Sequence, residues 1–372
     1  MSPFLPPRRH VVSGAKLVVL GAASVAGLAL AGVVLAYLSA TVTSGSHGRA
    51  VAGAVGAPAG PTVPAYSNNG HVSVTWGAAT LGNNQPVLGY YVTRTNASNV
   101  TVAACGTNSV TLTSSTSCTD GSGAPPANTT VPDGTYTYNV TAAYRLWGTA
   151  ASSAGSVIVD AAPPTSTLTF PATAGPFKAS SWTAGCNVAP FSATNTICGT
   201  AADVGSGVSG IRVSIQSTSG PTSGMYWGGS SFDQATETGS ALRAASSSDG
   251  FAHWTLSLPA TNLPDGTFTV RVHATDAAGN SQTATTAQSF TIDNTAPVTT
   301  DNAPAAWQHS TVTVTLSPTD PIVNGSHSGV ASTYYTTDGT TPSVVGGVLQ
   351  GTTQQGTSVV LSSEGTFTIK YF

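Results

Sequence analysis

The sequence predicts an all-β chain of tandem β-sandwiches that follow one N-terminal hydrophobic helix. Three observations carry this expectation. From Pro61 onward, apolar residues alternate with Thr, Ser or Asn in short runs broken by Pro, Gly, Asn and Asp, the two-residue period of half-buried antiparallel strands. One such run recurs three times, begun by glycines 132 and 99 residues apart. The long uninterrupted apolar stretch lies near the start, from Leu17 to Ala40.

In chain order, Arg8, Arg9 and Lys16 come first and the uncharged run Leu17–Ala40 follows. A signal-peptide core usually has about 7 to 15 residues and a membrane-spanning helix about 20, so this run is long enough to cross a bilayer. Residues 1–40 are expected as a signal peptide or a membrane anchor, and both outcomes stay open. The small-residue pattern Ala50-Val51-Ala52 lies far from the apolar run, and Leu38 suits a cut after Ala40 badly. Either way the flanking basic residues stay inside and the remainder lies on the extracellular side, anchored or secreted. Residues 41–60, small and polar, read as a flexible linker.

The recurring run supplies the strands. Gly134-Thr-Tyr-Thr-Tyr-Asn-Val-Thr-Ala142, Gly266-Thr-Phe-Thr-Val-Arg-Val-His-Ala274 and Gly365-Thr-Phe-Thr-Ile-Lys-Tyr-Phe372 align without gaps. Strand alternation sends Tyr136, Tyr138 and Val140 inward, then Phe268, Val270 and Val272, then Phe367, Ile369 and Tyr371. Turns precede the copies at Pro132-Asp-Gly134 and Pro264-Asp-Gly266, with Glu364 in the third. Repeats this far apart are whole domains. Junctions at Asp160-Ala-Ala-Pro163 and Asp293-Asn-Thr-Ala-Pro297 then divide the chain into 61–160, 163–294 and 297–372.

Composition removes several functions. Of 372 residues only 7% are charged, against about 25% in an average domain. With 40% apolar residues and net charge −3, charge-driven disorder is excluded. Nucleic acid is excluded as a partner, because polyanion binding needs clustered Lys and Arg, and only 11 exist. The four cysteines fall as close pairs, Cys105 with Cys118 and Cys186 with Cys198, without metal-ligand spacing. Two local disulfides are expected, as in an exported protein, each removing about 3 kcal/mol of unfolded-chain entropy; free buried thiols are the alternative.

These residues carry resemblances. Val72-Ser-Val-Thr-Trp76, Gly89-Tyr-Tyr-Val-Thr-Arg94 and Tyr136-Thr-Tyr-Asn-Val-Thr-Ala142 resemble a fibronectin type III domain. That resemblance implies a core role for Trp76 and a corner role for Tyr136, whose hydroxyl would bond to backbone. The second unit resembles bacterial immunoglobulin-like (Ig-like) repeats of secreted proteins through Asp203-Val-Gly-Ser-Gly-Val208, Tyr226-Trp-Gly-Gly-Ser-Ser-Phe232 and Asp276-Ala-Ala-Gly-Asn280. Its corner position is Phe268. The third is similar to the Ig-like C-terminal module of chitobiases and hexosaminidases, in Ser328-Gly-Val330, Tyr334-Tyr-Thr-Thr-Asp-Gly339 and Gly365-Thr-Phe-Thr-Ile-Lys370, with Phe367 at its core. Phe372 aligns with His273, so this third sandwich is expected to be incomplete, a fragment whose last strand either follows in a longer reading frame or comes from a partner.

Sandwiches host many functions, so chemistry has to be read from sites. Gly205-Ser-Gly-Val-Ser-Gly210 matches a dinucleotide fingerprint, yet Ile211-Arg-Val-Ser-Ile215 after it alternates as a strand where the motif needs a helix. No nucleophile elbow, zinc-protease motif or phosphate loop occurs. His71, His253 and His273 have outward strand phase and read as solvated. Five of twelve aspartates (Asp120, Asp133, Asp249, Asp265, Asp338) precede glycine and read as turn formers, and only Glu237 and Glu364 are glutamates. No enzyme activity and no obligatory cofactor is expected. Calcium is a weaker option, with Asp203, Asp276, Asn280 and Asp293 as oxygen ligands converging at one end of the second unit. Tyr226 and Trp227 are the candidate sugar-stacking platform, with Trp147 and Trp182 behind them.

Two functions follow. One is a non-catalytic cell-surface or secreted stalk or adhesion array whose partner is an extracellular protein or polysaccharide and which meets the membrane through its N-terminal helix. The other is the accessory, carbohydrate-binding part of an extracellular carbohydrate-active enzyme.

Overall fold

The computed structural model describes residues 54–122, 129–145, 147–150 and 154–372. The helix expected within residues 1–40 lies outside them. Among the described residues no helix is long and apolar enough to cross a membrane. These residues form three successive assemblies of strands, antiparallel except where β1 pairs with β8, each around its own hydrophobic cluster. The architecture is all-β and of the Ig-like sandwich type.

The first assembly contains β1 (Tyr66–Ser67), β2 (Val72–Thr75), β3 (Gly89–Asn96), β4 (Thr101–Ala104), β5 (Ser117–Asp120), β6 (Gly134–Tyr144), β7 (Trp147–Ala150) and β8 (Gly155–Val159). One sheet runs β1-β8-β6-β3-β4, with β7 also on β6, and β2-β5 forms the second. Alternation places Val72 and Val74 of β2 wholly inside, facing Val92, Tyr138 and Val140. Trp76 is 7% exposed and packs edge-on against Tyr90 at 5.6 Å. Tyr136 is half-buried beneath the Arg94 guanidinium, 5.8 Å from its ring centroid. Two residues on, Tyr138 donates its hydroxyl to a side chain, Asp120 Oδ2, at 2.9 Å, which is not the backbone bond expected of Tyr136. Asp120 also pairs with Arg94 at 2.6 Å and accepts from Cys105 N–H at 2.9 Å, so this turn aspartate anchors a buried network. Burial first, then the Asp120 charge, raises the Tyr138 pKa and keeps it a donor. Cys105–Cys118 is bonded, joining the loop after β4 to β5.

The second assembly contains β9 (Thr165–Phe170), α1 (Ala179–Ala184), β10 (Thr196–Ala202), β11 (Val208–Ser217), β12 (Tyr226–Trp227), β13 (Phe232–Gln234), β14 (Arg243–Ala244), β15 (His253–Ser257), β16 (Gly266–Asp276) and β17 (Thr286–Ile292). Sheet β15-β10-β9 faces sheet β13-β12-β11-β16-β17, on which β14 also pairs with β11. On β16 every second side chain from Phe268 to Ala274 is buried, while Thr269, Arg271 and His273 point outward. The inward rings form a column: Phe268 stacks on Phe290 at 5.3 Å, and Phe290 on Trp182 at 4.8 Å. Helix α1 departs from the expectation of strands alone. Six residues are too few to show a helical period, and its structural purpose is to insert Trp182, whose Nε1 donates to Leu258 O at 2.8 Å. Cys186–Cys198 is bonded and fully inside.

The third assembly contains β18 (Val298–Asp301), β19 (Val312–Thr319), β20 (Tyr334–Thr336), β21 (Ser343–Val345), β22 (Val348–Gln350), β23 (Gln354–Gln355), β24 (Ser358–Leu361) and β25 (Lys370–Tyr371). Its sheets are β18-β19-β24, β23-β20-β25 and the hairpin β21-β22. Here the repeated run differs from its two counterparts. Of Gly365–Phe372 only Lys370 and Tyr371 are in strand, and Phe367, expected in the core, is half-exposed. The difference goes with lateral support: β6 and β16 are each paired on both sides, whereas among the described residues β25 pairs with β20 alone.

Phe268→Ala is expected to cost about 3–5 kcal/mol, the price of a large cavity in a filled ring column. Phe367→Ala is expected to cost much less. Urea unfolding of both variants checks the contrast.

Candidate functional site

The site lies where the first assembly meets the second, and it is built from the end of β16. There the chain turns over Asp276 to Asn280: Asn280 N–H donates to Asp276 Oδ1 and Asn280 Nδ2 to Oδ2, both at 2.7 Å. The same amide reaches across the junction to the carbonyl of Asp160 at 2.8 Å. Asp160 follows β8, and its carboxylate is wholly buried. It accepts from Ala162 N–H at 3.1 Å and from Ser206 N–H, in the loop before β11, at 2.8 Å.

That loop explains the glycines of Asp203-Val-Gly-Ser-Gly. A Cβ on Gly205 would sit 2.6 Å from the Asp160 carboxyl carbon, so a side chain there displaces the carboxylate. Asp203 closes its own turn by accepting from Gly207 N–H at 2.8 Å. Its other oxygen, Oδ1, is buried without a hydrogen-bond partner. One carboxylate oxygen each from Asp160, Asp203 and Asp276 lies within 4.8 Å of the others. The ion pairs among the described residues involve none of the three.

Three carboxylates this close cannot all ionise at the ordinary value. Burial works against the Asp160 anion, but its Ser206 and Ala162 donors outweigh burial and lower its pKa below 3.8. For Asp203 burial comes first, and the charges of Asp160 and Asp276 add to it against the Gly207 bond, raising its pKa above 3.8. The chemistry on offer is all-oxygen: a proton shared between carboxylates, or a hard cation among them.

Of the four residues expected as ligands, Asp203, Asp276 and Asn280 do come together, and Asp160 joins them. Asn280, however, turns its Nδ2 donor toward the carboxylate and carbonyl oxygens, so it orients the cluster. Asp293 does not join. It follows β17, whose Ile292 pairs with Gly266 at the opposite end of β16 from Asp276, about 33 Å away at strand rise. There Asp293 Oδ2 is buried without a partner, as is Oδ1 of Asp320 in the third assembly. Asp160 was legible only as half of a pattern, since Asp160 and Asp293 each precede a proline-marked junction.

The sugar platform is corrected outright. Trp227 is 2% exposed and packs on Phe232 at 5.3 Å, Tyr226 is half-buried, and Trp182 is wholly inside. The pairing register of β12 against β11 and β13 turns the indole inward, which two residues of sequence cannot reveal. Two histidines expected as solvated are paired: His253 Nδ1 lies 2.6 Å from Asp249 Oδ2, and His273 Nε2 lies 3.0 Å from Glu237 Oε1. The His253 main-chain N–H, then its ring, lowers the Asp249 pKa to about 2.

Residues 231–294 match the family profile described as a bacterial Ig-like domain. No curated protein matches the chain. Similar solved structures include a tetra-tandem repeat from the extending region of a large adhesion protein, at 17% identity and TM-score 0.28, covering 82% of this chain and 66% of that one, just under two thirds. Fibronectin(III)-like modules of Clostridium thermocellum CbhA align at 13% identity and TM-score 0.26, covering 65% of this chain and 93% of theirs. A two-domain fibronectin type III segment of chicken tenascin aligns at 12% and 0.24, covering 63% and 98%.

Carboxyl-carbon NMR titration checks the electrostatics. Asp203 is expected to titrate above 3.8 and Asp160 below it. Protonated Asp203 therefore stabilises the folded junction, and that contribution fades as pH rises through its raised pKa. Asp160 acts oppositely, its contribution fading as pH falls through its lowered pKa. Asp203→Asn is expected to remove the first component and to weaken the second, because the Asp203 side chain also helps to lower the Asp160 pKa.

Proposed function

We propose that this chain is a non-catalytic stalk or adhesion array on the extracellular side of the membrane, either held by its N-terminal segment or secreted. Domains of this kind usually serve as adhesion or stalk modules. The proposed units are 61–160, 163–294 and 297–372, and the proposed partner is an extracellular protein or polysaccharide met by neutral Thr- and Ser-rich faces. The observation that carries this reading is that successive units are stitched to each other. At the first junction Asn280 and Ser206 donate to Asp160. At the second, Asn324 Nδ2 donates to Asp265 O at 2.9 Å and Ser326 Oγ to Ile292 O at 2.5 Å. A stalk needs joints of this sort, because unstitched sandwiches on flexible linkers do not hold a direction.

Single-molecule pulling tests it. The units are expected to unfold in separate events, and reduction is expected to lengthen the second unit's extension by about 35 Å, the full stretch of the 12-residue span of Cys186–Cys198 less the 6.1 Å that the bond already bridges. One cooperative rupture of the whole chain would contradict the proposal.

A cation at the first junction is a second reading, favoured by the unpartnered Asp203 Oδ1 among three carboxylates. The donor set fits calcium: the residues are hard oxygens, and each carboxylate oxygen that accepts one N–H keeps a lone pair. Asp160, Asp203 and Asp276 would hold the ion, and it would replace their mutual repulsion with attraction. Thermal melting in calcium is expected to run above melting in chelator, and Asp203→Asn to abolish the difference while Asp293→Asn keeps it. Identical midpoints for the unaltered chain would remove the cation.

A further inference from the structure

The end of the first assembly opposite the Asp160 junction has a chemistry of its own. It is built where β3 begins and β6 ends: Gly89 pairs with Ala143, and Leu88 N–H donates to Ala143 O at 2.9 Å. Leu88 is 59% exposed there. The loop after β4 reaches the same end, since a Cβ on Gly89 would lie 2.9 Å from Leu112 Cβ, and Val110, two residues earlier, is 88% exposed.

The β6–β7 hairpin adds two rings and a cation. Tyr144 pairs with Trp147 across the hairpin, both half-buried, and the Arg145 guanidinium lies 5.7 Å from the Tyr144 ring centroid. Arg145 is exposed and takes part in none of the ion pairs among the described residues. No acid balances it at this end. Between residues 54 and 160 the acids are Asp120, Asp133 and Asp160. Asp120 is held by Arg94 inside the sandwich, while Asp133 precedes β6 and Asp160 follows β8 at the junction end. Aliphatic side chains, phenol and indole rings and one unbalanced positive charge are the residue types that suit the boundary between a bilayer and water.

What covers this face is indicated by where the chain enters it. Ala54 O accepts from Gly82 N–H at 2.8 Å, Val55 bridges to Leu81, and Ala79 N–H donates to the Tyr90 hydroxyl at 2.8 Å, next to Gly89. The chain therefore joins the first assembly at this end. Residues 41–53 separate that entry from the uncharged run Leu17–Ala40, a span of at most about 45 Å.

We propose that this end face docks on the surface of a bilayer containing anionic phospholipid, with Leu88 and Val110 entering the acyl boundary, Tyr144 and Trp147 at headgroup level and Arg145 on the phosphates. The proposal rests on the reading in which the stalk is held by its N-terminal segment, and it gives that stalk a seated base. An acidic glycan satisfies Arg145 and the rings but leaves Leu88 and Val110 in water, and so fits less well.

The test places a nitroxide at Val110→Cys, or at Ser257→Cys in β15 as the control, in the full chain, whose native cysteines are both disulfide-bonded. The chain is reconstituted in phosphatidylcholine vesicles containing phosphatidylglycerol, floated on a density gradient, and read by electron paramagnetic resonance for collision with oxygen against a water-soluble nickel chelate. At Val110 oxygen is expected to be favoured and nickel excluded, and at Ser257 the reverse. Arg145→Gln, or omission of phosphatidylglycerol, is expected to lower the ratio of docked to undocked chains about fivefold. A chain that does not float removes the anchored form of the stalk and this docking with it. A chain that floats while Val110 stays as open to nickel as Ser257 overturns the docking alone. Docking indifferent to both Arg145→Gln and phosphatidylglycerol, or release of Val110 from the bilayer by an acidic oligosaccharide, would also overturn the assignment to anionic lipid.

Discussion

Asp160 brings a carboxylate into a fully buried position in a chain that has few charges to spend, and the first junction depends on how it is satisfied. Removing a carboxylate from water costs several kcal/mol unless donors replace the lost hydration. Ser206 and Ala162 N–H groups supply that replacement, and both come from backbone whose path is set by turn residues. Gly205 leaves the space and Asp203 closes the turn that aims Ser206 N–H inward. The geometry of one unit's loop thus defines the terminus of the unit before it. The same logic explains why so neutral a chain places acids here: a carboxylate accepting two fixed N–H groups is a directional fastener, which an apolar contact of equal area is not.

Elsewhere cohesion comes from alternation. Strand β6 from Tyr138 to Ala142 and strand β16 from Phe268 to Ala274 bury every second side chain; β6 turns Thr137, Asn139 and Thr141 outward, and β16 turns out Thr269, Arg271 and His273. What decides whether such a strand holds its full length is its neighbours. β16 runs eleven residues between two partners, while the same sequence type in the third assembly keeps two residues in strand beside one partner. Local pattern proposes the strand, and pairing on both sides sustains it.

That distinction sets what could be seen in advance. Sandwich architecture, both cysteine pairings and the inward set of β16 were legible because each rests on spacing within a few residues. Convergence was not. Asp203, Asp276 and Asn280 come together because their two turn motifs sit at one end of the paired strands β11 and β16, but Asp293 was placed with them wrongly. The error lies in chain direction: β17 returns antiparallel along β16 and delivers Asp293 to the far end. Trp227 was misread for a related reason, since an aromatic beside glycines looks exposed until a β12–β13 pairing turns it inward. Helix α1 escaped notice because a single turn has no period to detect.

The central claim is that Asp160 makes the first junction stiff. Double electron–electron resonance between nitroxides at Thr101→Cys in β4 and Ser257→Cys in β15, both exposed strand positions, measures this directly. The account predicts one narrow distance distribution for the labelled chain and a distinctly broader one once Asp160→Ala is added, with each unit's own strand content unchanged. Equal widths with and without the Asp160 carboxylate would contradict it.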